Sequence, residues 1–367
     1  MKRKRFEILI ALFFFLSHSS PSMSSVEKLL EEIFSIPSPS GYENAMVEKI
    51  QQVLPRGFSR QQDNLGSLYF TFGKGKPRLA ILASMDEIGY FVSGIDSQGY
   101  ILLDRAVPAP HQLYDSFHQG HQMIVWTGNG SVPGVLSLPS VHILSRERRA
   151  ELQGFFSLDS AYLDIGARSE EEVRKKGVEV LDAVTTWPEL TKLAEEKKAG
   201  RSLGNKTFCS LLLALGREFS TKELYKETTL VWMAQTKFQH RGSRPRAAMG
   251  ALVAKNKLQA DKVIILDVVP VDRESQHELS LGSGPVLVKP GKARSELIET
   301  IEEIAGKKDI SLQHQPGFQS TLMNPFLSGD KEVVTLGLPV KFASTLIEIV
   351  DFKDVQALEK LLYSLVQ

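Results

Sequence analysis

The sequence predicts an α/β protein, a sheet with helices on both faces, interrupted by a smaller β-rich unit. Two observations predict the sheet: aliphatic runs of strand length, and apolar residues recurring at helical spacing between and after them. A third predicts the interruption. From about Gly89 to Thr185 the texture changes to short alternating segments punctuated by glycine and proline. With α/β texture on both sides, this reads as an insertion: residues 26–88 and 186–367 form the α/β domain and residues 89–185 the inserted unit. A chain of 367 residues is long enough for both.

Taken in order, the chain opens with Lys2, Arg3, Lys4 and Arg5, then the apolar run Ile8 to Leu16, then the serine-rich stretch Ser17 to Ser25. That is the order of a secretory signal, with Ser22 and Ser24 as small residues for a signal peptidase. The run is shorter than the roughly 20 apolar residues that span a bilayer. Residues 1–25 are therefore read as a signal peptide or N-terminal anchor of an exported protein, periplasmic, surface-bound or secreted. Membrane contact is expected only through this segment.

From Ser25 as cap, Val26, Leu29, Leu30, Ile33 and Phe34 share a helical face that Pro37 and Pro39 end. A second helix is expected after Gly41, with Met46, Val47, Ile50 and Val53 inward. Buried strands are expected at Leu79 to Ala83, Thr229 to Ala234 and Val263 to Leu266. Helices follow at Phe208 to Phe219, Ala247 to Ala254, Ser295 to Ala305, and finally through Val355, Leu358, Leu361, Leu362 and Leu365. Within the insertion, Tyr100 to Leu103, Gln122 to Trp126 and Val132 to Leu138 read as strands.

Composition narrows the function. At 42% apolar and 24% charged residues the chain is that of a globular protein, and 44 basic against 43 acidic residues give no basis for nucleic-acid binding. The single cysteine, Cys209, excludes an intramolecular disulfide and heads an apolar run, so it reads as a small buried hydrophobe.

Open α/β sheets bind ligands beyond the carboxyl ends of their strands. The first predicted strand runs into Ser84-Met85-Asp86-Glu87-Ile88-Gly89, and the second into Gln235-Thr236-Lys237-Phe238-Gln239-His240-Arg241-Gly242. The third ends at Asp267. Three acids, a lysine and two hydroxyls would bind a polar ligand but make a poor transition-metal site.

Ile36-Pro37-Ser38-Pro39-Ser40-Gly41-Tyr42-Glu43, Asp63 to Gly66 and Met85-Asp86-Glu87-Ile88-Gly89 form the first part of an ordered pattern. It continues through Asp164-Ile165-Gly166-Ala167-Arg168-Ser169, Gly284-Pro285-Val286 and Glu348-Ile349-Val350-Asp351 with Asp354-Val355. In this order and spacing the chain resembles the tetrahedral metallo-aminopeptidases of the glutamyl-aminopeptidase type over nearly everything after residue 26. The resemblance implies a zinc-peptidase-like α/β domain with helices on both faces of a mixed sheet, interrupted by a small β-barrel-like domain, and a large homo-oligomer. It also implies two metal ions held by five side chains, and a general-base glutamate.

Residue by residue, one ligand of the five is kept. Ser84 stands at the first histidine, Gly204 at the bridging aspartate, Lys237 at the ligand glutamate and Ser344 at the final histidine. Thr236 takes the place of the general base; Asp267 is the retained ligand, and Asp86 is retained beside it. Glycine supplies no donor, and a lysine charge about 4 Å from a dication at an effective dielectric near 20 is repelled by about 8 kcal/mol. Without metal-lowered water or a base, peptide hydrolysis is not expected.

The remaining features have plainer readings. Lys237 fills the vacated site as an internal cation paired with Asp86 or Asp267; the alternative is a Ser84–Lys237 hydrolase. His111, His118 and His121, with Asp115 as a conceivable fourth ligand, read as solvated loop residues. Arg241, Arg244 and Arg246 with His240 read as a solvated helix start, with anion binding as the alternative. Glu195, Glu196, Lys197 and Lys198 read as a solvated helix face. His240 and His314 are the histidines that would reopen the metal question by turning into the site. The expectation is an exported, non-catalytic protein that binds a peptide or small polar ligand or serves assembly, with no cofactor. The alternative is an active metallo-aminopeptidase hydrolysing N-terminal residues of peptides through a rearranged or single-metal site, with one or two zinc or cobalt ions.

Overall fold

Leu79–Ser84 is buried along its whole length, as a strand covered on both faces must be. In the computed structural model, which describes residues 24–56, 59–140, 142–151, 157–240, 246–272, 278–289, 295–317 and 320–367, it lies near the middle of an eight-stranded sheet. Nearly all of the N-terminal segment read as a signal lies outside the described residues, as do Arg241 and Arg244. Four central strands, Thr228–Met233, Leu79–Ser84, Lys262–Pro270 and Glu332–Val340, run parallel in that order. Leu68–Phe72 and Ser59–Gln62 continue one edge in antiparallel fashion, and Val286–Lys289 pairs antiparallel on the other. The sheet is therefore mixed.

Helices cover both faces. Ser25–Phe34, Leu203–Phe219, Glu296–Lys307 and Phe352–Val366 bury their apolar sides in the larger core, and Met249–Lys257 closes the smaller one. The first helix is capped one residue earlier than expected. Ser24, not Ser25, accepts the amide of Glu27, whose carboxylate returns to the Ser24 amide in a capping box. Asn44–Val53 buries Met46, Val47 and Ile50, as its spacing predicts.

Between the first two central strands in the chain lies a closed barrel of six strands: Tyr90–Ile95, Ile101–Arg105, Tyr162–Asp164, Gly130–Ser137, Gln122–Thr127 and Ala183–Thr186. It has a separate core built on Tyr90, Val92, Met123, Val125, Leu136 and Leu163.

Two local expectations are corrected. Asp267 does not end its strand: the ladder continues through Val268, Val269 and Pro270, which pair with Leu338, Pro339 and Val340. The charged run at 195–198 is not a helix face. Lys197–Gly200 is the middle strand of a three-stranded sheet, and Lys198 is buried, 2.7 Å from Glu27 and over the ring of Phe352.

Candidate functional site

The carboxyl ends of the parallel strands carry the chemistry that their sequences bring there. Just past Ser84 the chain turns, and Asp86 is fully buried. Its carboxylate accepts the hydroxyls of Ser40 and Thr236 and, at 2.9 Å, the backbone amide of Lys237. Thr236 Oγ1 also lies 2.9 Å from Ser84 Oγ. Ser84, Asp86 and Thr236 thus form one closed hydroxyl–carboxylate cluster. Ser84 is held by Thr236 and not by a lysine ammonium, and Asp86 meets the amide of Lys237 and not its side chain.

Glu43 abuts this cluster, accepting the amides of Gly41 at 3.0 Å and Gln235 at 2.8 Å. Burial, with the Asp86 charge second, pushes its carboxyl up to about 7.

Lys237, Asp267 and Ser344 line an adjoining pocket of about 220 Å³, with Glu348, Asn205 and Tyr114 in the same wall. Asp267 Oδ1 accepts the amide of Val268 at 2.8 Å and Oδ2 the hydroxyl of Ser320 at 2.5 Å. Glu348 Oε2 accepts the amide of Gly204 at 2.9 Å and Oε1 that of Ser344 at 3.3 Å. Burial raises the pKa of both acids; their hydrogen bonds and the Lys237 charge oppose it. Backbone strain concentrates around this wall: Ser202, Gln235, Phe342 and Ser344 have φ of 46°, 52°, 56° and 60°.

Gly204 lies in the first turn of the Leu203–Phe219 helix and donates its amide to the pocket residue Glu348. A Cβ there would meet Val268 Cγ2 at 2.5 Å, Val340 Cγ2 at 3.4 Å and Glu348 Oε2 at 3.5 Å. Glu348 is the site residue that reading the sequence missed. It was visible only as part of a longer motif, although a carboxylate set among Leu346, Ile347, Ile349 and Val350 is the signature of a buried acid.

Below the pocket lies a buried ionic group, also missed. Glu87 Oε2 is 2.8 Å from Arg201 Nε and 4.0 Å from Lys206 Nζ, while its Oε1 accepts the Ser38 amide at 2.9 Å. The arginine contact is an ion pair off the N–H direction rather than a directed hydrogen bond. Lys206 donates to the carbonyl of Ile36 at 2.7 Å.

The His240 side chain lies outside the described residues, and none of His111, His118, His121 and His314 is bonded to the Asp86, Asp267 or Glu348 carboxylate. His118 is buried, not solvated: its Nδ1 lies 3.2 Å from the Tyr90 hydroxyl and 3.1 Å from the Tyr114 carbonyl, and burial pulls it down to about 4. Asp115 is taken by Arg105 and, at 2.9 Å, by Tyr90. His111 is exposed and reaches the Ser344 carbonyl at 3.3 Å; His121 is exposed, and His314 stands on an edge strand beside Glu302. Cys209 is fully buried and Arg246 exposed. Among the described residues, no three His, Cys, Asp or Glu side chains come together in a way that could hold a metal ion.

The sequence profile of the M42 glutamyl aminopeptidases matches residues 66–361. The chain belongs to this M42 family. Lysyl aminopeptidase of Pyrococcus furiosus is 25% identical over 351 residues, covering 93% of this chain and 96% of that one. The fold of this M42 chain is shared with the TET1 peptidase of Pyrococcus horikoshii, at TM-score 0.79 and 23% identity over 94% of this chain and 99% of the other. It is shared too with aminopeptidase APDkam598 of Desulfurococcus kamchatkensis, at TM-score 0.77 and 21% identity over 93% and 94%.

Proposed function

We propose that this M42 chain binds a peptide or small polar ligand in the pocket beside Asp267 without hydrolysing it. The observation that carries the reading is the filling of the place where a bridging carboxylate would stand. Val268 and Glu348 crowd position 204, and the Gly204 amide is already bonded to Glu348. Asp86 is committed to Ser40, Thr236 and the Lys237 amide, and Lys237 brings a positive charge to the wall. These residues do not fit a pair of divalent ions, and Thr236 is no base near neutral pH. On this reading residues 26–88 and 186–367 carry the pocket, and the insertion at 89–185 contributes Tyr114 to its wall.

Membership of the M42 family and the retained Asp267 favour a second reading, an aminopeptidase working through a single zinc or cobalt ion. One experiment separates them: elemental analysis of the purified protein together with turnover of a panel of aminoacyl amides. We expect substoichiometric metal and no metal-dependent release. Stoichiometric zinc or cobalt with release that a chelator abolishes would overturn the binding reading.

We also propose a homo-oligomer, since the P. horikoshii TET1 peptidase assembles into a tetrahedron or a large octahedral shell. Export is proposed from the basic and apolar order of residues 2–16. Among the described residues no helix is long and apolar enough to cross a membrane. Expressed with its own N-terminus, the protein is expected outside the cytoplasmic fraction, and removal of residues 2–16 is expected to return it there. Equal fractionation of the two forms would remove the export proposal.

A further inference from the structure

Opposite charges share the pocket without touching. Lys237 lines it together with Asp267 and Glu348, and its charge acts on both acids. Yet among the described residues no ion pair within 4.0 Å joins it to either. Each of the four carboxylate oxygens accepts one neutral donor, from Val268, Ser320, Gly204 or Ser344, which leaves acceptor capacity on both groups. A half-buried cation and two acids held apart in this way leave charge in the wall that a ligand can still pair.

The cavity is about 220 Å³. Besides its polar groups it is walled by Ile88, Val268, Pro270 and Ala343. A simple anion would satisfy Lys237 but face two carboxylates. A simple amine would pair with the acids and leave Lys237 without a counter-charge. A molecule with both charges a few ångströms apart and a short apolar group answers all three demands.

We infer that the pocket is a receptor for a free α-amino acid with an aliphatic side chain, its carboxylate on Lys237 and its ammonium on Asp267 and Glu348. The inference rests on the binding reading above and adds the chemical class of the ligand. Charge-assisted hydrogen bonds at both ends give the selectivity, because removal of either ligand charge forfeits one of them. The aliphatic wall contributes apolar burial that does not depend on those charges.

The test is calorimetric titration of the full protein, freed of metal, with L-leucine, L-leucinamide and N-acetyl-L-leucine. The amide lacks the carboxylate and the acetyl derivative lacks the ammonium. L-leucine is expected to bind at least tenfold more tightly than either. Lys237→Met is expected to reduce leucine to the affinity of leucinamide while leaving leucinamide unchanged, and Asp267→Asn to reduce leucine toward the acetyl derivative. The ligand series on the unaltered protein stands even where a variant fails to fold. Equal affinity for the three compounds, or no binding of L-leucine, overturns the inference. Ammonia release from leucinamide on adding zinc or cobalt sinks the non-catalytic reading instead, so the two failures are told apart in the same samples.

Discussion

Gly204→Asp is expected to lower the unfolding free energy by about 3–5 kcal/mol, the size associated with an uncompensated charge in a packed interior. Two effects add. The new Cβ would stand 2.5 Å from Val268 Cγ2, and a β-branched side chain on a strand has little freedom to withdraw. Overpacking of this kind costs about 1–3 kcal/mol. The new carboxylate would then sit against Glu348, whose Oε2 is already 3.5 Å from the Cβ position and engaged by the Gly204 amide. Gly204→Ala isolates the steric part and is expected to cost less than the aspartate. Urea denaturation of the three proteins measures both steps. Zinc or cobalt is expected to leave the midpoint of the aspartate variant unmoved. An aspartate variant as stable as the parent, or one that either ion restores, would show that the position still has room for a bridging carboxylate.

The framework was legible because its signals are local. Leu79 to Ala83 and Val263 to Leu266 are runs of aliphatic residues too short for helices, and both became central strands buried on both faces. The interrupted glycine- and proline-rich texture likewise became a barrel, since each short alternating segment could bury only one side. What the sequence hid depends on partners far away in the chain. Lys198 looks like one more solvated charge until Glu27 and Phe352 close over it, and the mixed-charge run becomes a strand because Glu348–Asp351 pairs with it. His118 reads as a loop histidine until Tyr90 and Tyr114 enclose it.

The site shows the same division. Ser84, Asp86, Thr236, Lys237 and Asp267 follow or lie on strands whose order fixes their neighbourhood, so they could be named from the sequence. Their hydrogen bonds could not. The expected side-chain pairing of Lys237 with Asp86 or Asp267 is not made within 4.0 Å among the described residues; Asp86 takes the Lys237 backbone amide instead, together with two hydroxyls that fill the carboxylate. Glu348 escaped notice because it enters the pocket from a strand of the three-stranded sheet and not from the large one. Asp267 appeared to end a strand because a lone acid after an aliphatic run normally does; here Ser320 and the Val268 amide satisfy it within the ladder.

Glu87→Gln should destabilise the protein by about 3–5 kcal/mol, since it leaves the Arg201 and Lys206 charges buried without their counter-ion. Glutamine keeps an acceptor for the Ser38 amide, so the change removes charge more than shape. The pH dependence identifies the group responsible. Burial, only partly opposed by Glu87 and reinforced by Arg201, brings Lys206 down to about 8 from its ordinary 10.5. Between those values the unfolded chain holds a proton that the folded chain has released, so Lys206 contributes stability that rises with pH across the window, by up to about 1.4 kcal/mol per pH unit, while the Cys209 thiol, pushed up to about 12 by burial, contributes the opposite slope above its ordinary value of 9. Below pH 8 both states hold the Lys206 proton and its contribution to the slope vanishes. Removing Glu87 takes away the charge that holds the lysine pKa up, so in Glu87→Gln the rise should begin at lower pH. Lys206→Met should abolish it, and in the double variant the loss should be smaller than the sum of the two single losses. The differences in urea midpoint among the four proteins, followed from pH 6 to 11, decide it, since the groups common to all four cancel. A parent whose stability relative to Lys206→Met does not rise above pH 8 would mean that the ammonium is compensated by groups other than Glu87.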